Sequence, residues 1–428
     1  MCIRDSNDVA LKILHKDLKE KDELFYHDVI NSARKIRKIL MRNGYSNTEN
    51  FKRWINKSKD LLQTKFSSNL YSEGLNAVDK VKKVPAEYSQ DIQMVDGRII
   101  LRDNFEKLLE KEDRLIIFGQ DSGKIGGVNQ GLEGLQKKYG EIRVSDSGIR
   151  EATIIGQGIG MAIRGLKPIA EIQYLDYILY CLQILSDDLA TFNYRTKGRQ
   201  ISPLIIRTRG HRLEGIWHSG SPMAGMIHLL RGIHVLVPRN MTQAAGFYNT
   251  LLQANQPAII VECLNGYRIK ERMPTNLGEF SLGIGEIEVL KSGVDITLIS
   301  YGSTLRIVQK VANDLENYEI SAEVVDIQTL LPFDIKCEIK QSVVKTNRLV
   351  IIDEDMPGGG SAYILQQLMD NQNIYPYLDT QPKLISAKPH RPAYGEDGDY
   401  FSKPSADDIF EEVYEIMHEA NPSKYPKL

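Results

Sequence analysis

The chain has 428 residues, enough for about two to three domains of ~150 residues each. Its 54 Lys and Arg residues nearly balance its 56 Asp and Glu residues, and the formal net charge of −2 argues against nucleic acid or an anionic membrane as a partner. No apolar run reaches the ~18 residues of a membrane span. The four cysteines, Cys2, Cys181, Cys263 and Cys337, lie far apart without a CxxC pair. This spacing predicts reduced thiols in a cytoplasmic protein and neither a disulfide framework nor a metal site.

The N-terminal region is predicted to be a helical arm. Residues 7 to about 83 are rich in Lys, Asp, Glu and Asn, show no strand pattern and carry apolar residues at helical spacing. These apolar residues are Val29, Ala33, Ile36, Ile39 and Leu40. Met1 to Ser6 fit neither a targeting segment nor the arm, and we interpret them as a truncation or assembly scar.

From about residue 98, short apolar strands alternate with helical stretches, which predicts parallel sheets covered on both faces. A glycine-rich stretch around Gly278 to Gly285 closes a first series of strands, and a second, smaller series follows. The predicted fold class is α/β, with two doubly wound, mostly parallel-sheet domains preceded by the arm. The predicted boundaries are 1–95 for the arm, 96–283 for the first sheet domain and 284–428 for the second. The predicted strands start at Leu115, Pro168, Pro203, Val235, Ala258, Asp295, Glu323 and Arg348.

The most informative segment runs from Ser145 to Gly165 and places Glu151 at the start of an apolar, glycine-rich helix. The helix dipole favours an anion there, but burial without charged partners opposes ionisation. This carboxylate is therefore expected to have a partner or a chemical role. The strand and helix that follow bring Gln173 and Tyr177 toward the same end of the sheet.

Two glycine clusters are predicted to be structural. Gly156, Gly158 and Gly160 lie within the helix, and their G-x-G-x-G spacing favours close helix packing over a dinucleotide fingerprint. The segment Gly358 to Gly360 follows a strand and opens a helix. An anion site is conceivable there, but we interpret the segment as a tight turn.

Several ungapped motifs follow one another along the chain. They are Phe118-Gly-Gln-Asp-Ser-Gly, Asp146 to Gly165, Glu171-Ile-Gln-Tyr-Leu-Asp-Tyr177, His218-Ser-Gly-Ser-Pro, and Asp326-Ile-Gln-Thr-Leu-Leu-Pro-Phe-Asp334. In this order they resemble the pyrimidine-binding domain of thiamine-diphosphate enzymes, above all the beta subunit of the decarboxylating first component of 2-oxo-acid dehydrogenase complexes. The resemblance covers about Asp96 to His418 and implies a transketolase-type C-terminal domain after the pyrimidine-binding domain.

The resemblance implies roles for three residues near the cofactor. Glu151 would hydrogen-bond N1′ of thiamine diphosphate and favour the tautomer whose 4′-amino group removes the thiazolium proton. Tyr177 would pack on the aminopyrimidine, and Gln173 would lie near the active site. From the residues alone, a helix-end acid is the commoner role for a carboxylate such as Glu151, and Tyr177 can equally belong to a core stripe of tyrosines.

Three more residues are candidates for substrate handling. His218 matches the histidine of the family's His-Ser-Gln loop, which reaches the bound substrate, although Gly220 stands where glutamine is usual. Gln120 similarly replaces the glutamate of the family's Gly-Glu-Asp turn. His211 and Arg207 are candidates for binding a substrate carboxylate, and a solvated basic loop is the alternative.

The diphosphate half of the site is missing from the sequence. The resembled family holds the diphosphate through Mg²⁺ with a Gly-Asp-Gly segment followed by Asn, and Glu396-Asp-Gly-Asp399 lacks the necessary strand and helix context. We therefore expect no metal site in this chain, with Mg²⁺ held by an alpha-type subunit or a fused alpha half. The arm weakly resembles the C-terminal helices of that alpha subunit, and a helical extension packed on the next domain is the alternative.

The resemblance also implies an activity and further partners. The activity is oxidative decarboxylation of a 2-oxo acid, with transfer of the acyl group to a lipoyl-bearing acyltransferase. A second copy of the chain is expected to pack on the helix face around Gly156 to Ile163. The sequence does not choose among pyruvate, branched-chain and 2-oxoglutarate substrates. The alternatives are a transketolase or deoxyxylulose-phosphate synthase subunit and a non-catalytic scaffold of the same fold.

Overall fold

The computed structural model describes residues 8–44, 48–211, 220–393 and 395–428. Contacts divide the chain into two units, Met1–Ser68 and Asn69–Leu428. The first unit contains α1 (Val9–Lys19), α2 (Tyr26–Arg42) and α3 (Glu49–Ser67). Asp8 caps α1 by accepting hydrogen bonds from the backbone N–H groups of Ala10 and Leu11. Among the described residues, no helix combines the length and the apolar character that a membrane span requires.

The buried face of α2 differs by one residue from the predicted face. Ile30, Ala33 and Ile36 are buried at helical spacing, whereas the side chain of Val29 is 39% exposed. The prediction that Val29 belongs to the apolar face is wrong, because Ile30 occupies the position one turn before Ala33 and Arg34. Ile39 is half-buried, at the flank of the same face.

The second unit contains all the strands described. The strands are β1 (Met94–Asp96), β2 (Leu115–Gly119), β3 (Val144–Asp146), β4 (Lys167–Ile172), β5 (Ile205–Gly210), β6 (His234–Leu236), β7 (Ala258–Cys263), β8 (Lys270–Arg272), β9 (Glu288–Lys291), β10 (Ile296–Ser300), β11 (Ala322–Asp326), β12 (Thr329–Leu331), β13 (Leu349–Ile352) and β14 (Lys383–Ile385). Its helices are α4 (Gly97–Lys111), α5 (Leu135–Tyr139), α6 (Glu151–Ile163), α7 (Ala190–Arg195), α8 (Met223–Leu229), α9 (Met241–Gln253), α10 (Leu305–Asp314), α11 (Glu338–Thr346), α12 (Gly360–Gln366), α13 (Glu396–Ser402) and α14 (Ala406–Ala420).

Seven strands form the larger sheet, in the order β12-β6-β7-β5-β4-β2-β3. Six of them are parallel, and their apolar residues are buried because helices cover both faces. The seventh, β12, comes from the predicted second sheet domain and pairs antiparallel with β6. One core cluster accordingly contains Val235 from β6 together with Leu330 and Leu331 from β12.

The second sheet has the order β14-β13-β10-β11-β9, and β1 and β8 form a separate antiparallel pair. Its four strands from β14 to β11 are parallel, and β9 is an antiparallel edge. The α/β class with parallel-rich sheets after an N-terminal helical region is thus confirmed. The boundaries at 95 and 283 stay predictions. The helices of the first unit end at Ser67, and the segment from Asn69 to Met94 belongs to the second unit.

Candidate active site

Three neighbouring strands of the larger sheet end at one edge, and two of the predicted cofactor residues, Glu151 and Gln173, follow strands there. β2 pairs in parallel with β3 on one side and with β4 on the other. Asp121 follows β2, Glu151 follows β3 and Gln173 follows β4. The carboxyl ends of parallel strands are the edge at which α/β proteins bind ligands. We take this edge as the candidate active site.

Glu151 is the first residue of α6 and is half-buried. The helix dipole favours its negative charge. Within the described ranges, no side chain or backbone N–H forms a hydrogen bond or an ion pair with its carboxylate. The carboxylate is therefore available to a group from outside this part of the chain.

Tyr177 lies next to Glu151 in a short 3-10 segment, Leu175–Cys181. Its ring is 5.8 Å from that of Tyr174 in an edge-on arrangement and 6.2 Å from that of Tyr180. Burial, followed by Tyr174 and the Glu151 carboxylate, raises the pKa of Tyr177 above its ordinary value. Burial and Glu151 likewise raise the pKa of the Cys181 thiol to about 12. Both shifts place the Glu151 charge close to this aromatic segment.

Gln173 is held at its side chain and at its backbone. Its Nε2 donates to Oδ2 of Asp121 at 3.0 Å, and its carbonyl oxygen accepts from Arg209 at 3.2 Å. Asp121 belongs to a turn that the carboxylate of Asp146 fixes, because Asp146 accepts from the N–H groups of Gly123 and Lys124 at 2.7 and 3.0 Å. Sequence reasoning missed Asp121 and Asp146 as parts of the site, although both lie within the motifs that carry the resemblance.

Arg207 lies in a buried cluster of charges instead of facing the edge of the sheet. Its side chain is fully buried, with Glu171 at 2.5 Å and Glu262 at 2.9 Å. Arg209 is 2.8 Å from the same Glu171, so two arginines balance two carboxylates. Burial alone raises the pKa of Glu262, but Arg207 outweighs burial and holds it below its ordinary value. We call these four residues the buried ion cluster. With its guanidinium engaged inside the cluster, Arg207 is not part of the site that we propose.

His211 is also fully buried, at the junction of the two sheets. Its Nδ1 accepts from the N–H of Ser303 at 3.0 Å, and its ring packs 4.6 Å from that of Tyr301. Burial lowers the pKa of the imidazole, but Glu354 and Asp353 outweigh burial and raise it. These contacts tie β5 to the second sheet. We accordingly leave His211 out of the proposed substrate site.

His218 lies outside the described residues, as do Met1 to Ser6. Gly220, the first residue described after that stretch, donates its N–H to Oδ2 of Asp176 at 3.3 Å. A Cβ at position 220 would lie 1.8 Å from Oδ1 of Asp176. Glycine at this position therefore fits the place that Asp176 takes, whereas the family's glutamine would require Asp176 to move.

The two glycine clusters differ in their surroundings. A Cβ at Gly158 would lie 2.7 Å from Leu204, whereas Gly156 and Gly160 have no described atom within 4 Å of that position. Close packing within the chain is thus seen at Gly158 alone of these three. Gly358 has a φ of +86°, and the N–H of Gly360 donates to Asp355 at 3.2 Å. The tight turn predicted at Gly358 to Gly360 is confirmed. The carboxylate of Asp355, within the chain itself, accepts the hydrogen bond from the N–H of Gly360.

Comparison with known proteins identifies the family. A model described as the transketolase pyrimidine binding domain matches residues 93–269, and one described as the transketolase C-terminal domain matches residues 285–402. The pyruvate dehydrogenase E1 component subunit beta of Acholeplasma laidlawii is 32% identical over 279 residues, which cover 65% of this chain and 84% of the relative. The chain belongs to the family of E1 beta subunits, within the transketolase-like superfamily. The Bacillus subtilis protein of the same name is 32% identical over 256 residues, or 59% of this E1 beta-family chain and 78% of the relative.

Solved structures show the same fold at lower sequence identity. A split gene transketolase, described as an inactive beta4 tetramer, has a TM-score of 0.59 at 19% identity and covers 76% of the E1 beta-family chain and 98% of its own. A transketolase mutant from Pichia stipitis has a TM-score of 0.55 at 13% identity, covering 88% and 54% of the two chains. These structures share the fold, and the predicted family resemblance is confirmed by the family models and the relatives described above.

Proposed function

We propose that this chain supplies the pyrimidine half of a thiamine-diphosphate site in a 2-oxo-acid dehydrogenase. The observation that carries the proposal is Glu151, a half-buried carboxylate at a helix start with no described partner, at the sheet edge that also carries Gln173. Membership of the E1 beta family supports the same conclusion, because the relatives are named as subunits of pyruvate dehydrogenase.

The residues at the edge fit an aminopyrimidine ring. Thiamine diphosphate, when bound, supplies a deprotonated thiazolium carbon that can attack the 2-oxo group and a ring that can accept the electrons left by decarboxylation. Glu151 would accept a hydrogen bond from the protonated N1′ of the pyrimidine and hold that proton in place. Tyr177 provides a flat apolar face beside this carboxylate. Gln173 contributes a carboxamide at the same edge.

We propose that an alpha-type subunit, or a fused alpha half, supplies the diphosphate and Mg²⁺ site. In the described part of the chain, no group of three or more His, Cys, Asp or Glu side chains is placed to hold a metal ion. The sequence likewise lacks the Gly-Asp-Gly and Asn pattern. The proposed partner therefore completes the site at an interface.

This half-site arrangement gives the first prediction. The chain alone should bind thiamine diphosphate and Mg²⁺ weakly, because it offers contacts to the pyrimidine and none to the diphosphate. Adding an alpha-type subunit should produce tight binding and 2-oxo-acid decarboxylation. Titration calorimetry with and without the partner measures both states. Tight, Mg²⁺-dependent binding by the chain alone would refute the half-site proposal, and no binding by the assembly would refute the proposed function.

The exposed face of α6 supports a second copy of the chain as another partner. Gly156 and Gly160 lie on this face with open space around them, and Ile163 is 43% exposed. Small residues on a helix let another backbone approach closely, and an apolar face of this kind is stabilised by being covered. We predict a dimer or larger assembly at micromolar concentration. Sedimentation equilibrium measures its mass, and a stable monomer would contradict the prediction.

We also propose a particular substrate and a particular acyl acceptor. Pyruvate is the 2-oxo acid favoured by the names of the relatives, with branched-chain 2-oxo acids as the alternative. The acceptor that we propose is a lipoyl group on an acyltransferase. A cytoplasmic location, which the widely spaced cysteines indicate, stays a prediction; Cys181, Cys263 and Cys337 are free thiols.

A further inference from the structure

The hydrogen bond between Gln173 and Asp121 fixes which way the Gln173 carboxamide points. An ionised carboxylate accepts hydrogen bonds and donates none. The side of the carboxamide that faces Oδ2 of Asp121, 3.0 Å away, must therefore be the NH₂ group. The carboxylate partner therefore determines which amide atom is nitrogen and which is oxygen. Without such a partner the two orientations could not be told apart.

In that orientation, the carbonyl oxygen Oε1 of Gln173 is the carboxamide atom that is not bonded to Asp121. Among the described residues, none donates a hydrogen bond to Oε1. The side chain lies at the ligand edge of the sheet and is only 9% exposed. Oε1 keeps some exposed surface at this edge, so a donor group on a bound ligand can reach it.

We propose that Asp121 is a positioning residue that makes Gln173 a fixed hydrogen-bond acceptor for a donor group, N–H or O–H, on the bound ligand. This inference rests on the proposed function and deepens it. The ligand group is either the amino group of the cofactor's pyrimidine or a hydroxyl that forms as the 2-oxo acid reacts. A ligand with an acceptor at this point would meet a repelling oxygen, so the pair also selects against it.

The surroundings hold both residues of the pair in place. Asp121 has a φ of +57°, a left-handed conformation that is uncommon for residues other than glycine. Its carbonyl oxygen accepts from the N–H of Gly127 at 2.7 Å. The carbonyl oxygen of Gln173 is bound to Arg209, which Glu171 holds at 2.8 Å. The turn and the buried ion cluster thus keep Nε2 of Gln173 aligned with the carboxylate of Asp121.

Asp121→Gly removes the carboxylate without adding strain, because glycine adopts a φ of +57° freely. The carboxamide of Gln173 can then rotate and present its NH₂ group to the ligand. In the assembly with the alpha-type subunit, we expect a loss of about five- to tenfold, the equivalent of one net hydrogen bond. The loss should appear in the Kd for thiamine diphosphate if the donor belongs to the cofactor. If the donor belongs to the substrate, it should appear in kcat/KM for the 2-oxo acid with that Kd unchanged.

An exchanged pair separates positioning from simple loss of structure. Gln173→Glu alone sets two carboxylates against each other and should lose at least about tenfold. Adding Asp121→Asn reverses the hydrogen bond, since the asparagine NH₂ can donate to one oxygen of the introduced carboxylate and leave its second oxygen as an acceptor. The double variant should then recover to within about threefold of the wild type, as a double-mutant cycle measures. Asp113→Asn, at an exposed turn before β2, is the matched control.

Wild-type behaviour of Asp121→Gly, or no recovery in the exchanged pair, would overturn the positioning role and leave the proposed function intact. An assembly of wild-type chains that binds no thiamine diphosphate would overturn the proposed function itself, and the positioning role with it. Circular dichroism of each variant shows whether the fold survives. If Asp121→Gly fails to fold, the comparison between Gln173→Glu and the exchanged pair decides the question.

Discussion

Replacing Glu151 with glutamine should lower turnover of the assembled enzyme by about 10²- to 10⁴-fold, the range for loss of an acid-base group. The amide keeps the size of the side chain and part of its hydrogen bonding, but it cannot hold the proton on N1′. Folding should survive, because a neutral group at a helix start costs at most about 1 kcal/mol of dipole interaction. Steady-state turnover and exchange of the cofactor's C2 proton measure the effect.

Glu141→Gln is a matched control for this change. Glu141 is exposed and lies before the amino end of β3, at the opposite end of this strand from Glu151. Its turnover should equal that of the wild type. If Glu151→Gln exchanges the C2 proton at the wild-type rate, Glu151 is only a helix-end acid and the central assignment is wrong. In the same assay, His218→Ala should spare C2 exchange and slow decarboxylation or acyl transfer.

Arg207→Met should destabilise the chain by about 3–5 kcal/mol, the usual cost of breaking a buried ion pair. Methionine fills similar space, but it leaves Glu171 and Glu262 with one arginine between them, all fully buried. The midpoint of urea unfolding, followed by circular dichroism, should fall accordingly.

Two comparisons test whether charge balance is the cause. Arg114→Met removes an arginine that is 58% exposed and pairs with Glu112 at 2.9 Å, and it should cost less than about 1 kcal/mol. Arg207→Met combined with Glu262→Gln restores equal numbers of charges and should recover part of the loss. The glutamine can still accept from Tyr248, which donates to Glu262 at 2.7 Å. A midpoint shift for Arg207→Met no larger than that for Arg114→Met would contradict the account.

The central parallel strands could be predicted because their own residues determine them. A strand covered on both faces is mainly an apolar run, as at Leu115–Gly119 and over the first four residues of Ala258–Cys263. Sequence analysis missed β1, β3, β8, β9, β12 and β14, which have three or four residues each. Short strands of this kind depend on a neighbouring strand more than on their own pattern. The position of Val29 was wrong for a related reason, since its neighbour Ile30 satisfies a similar spacing.

Site residues that belong to a motif could be predicted one by one, and their roles stay predictions, whereas residues that act together could not be predicted. The motifs indicated Glu151, Gln173 and Tyr177. The ion cluster was missed because Glu171 and Glu262, read singly, are typical surface residues. A signal was present, since charged residues inside strands buried on both faces must be paired. That reasoning would also have moved Arg207 from the substrate site to the core.

The pairing of β12 with β6 also has a consequence for folding while the chain is being synthesised. All six parallel strands of the larger sheet precede residue 284, yet β6 remains an open edge until Thr329–Leu331 has been made. An uncovered edge with apolar neighbours such as Val235 is a site for aggregation. A nascent chain, or a fragment ending before residue 284, should therefore need a chaperone or a substitute strand, and the two sheets should mature as one folding unit.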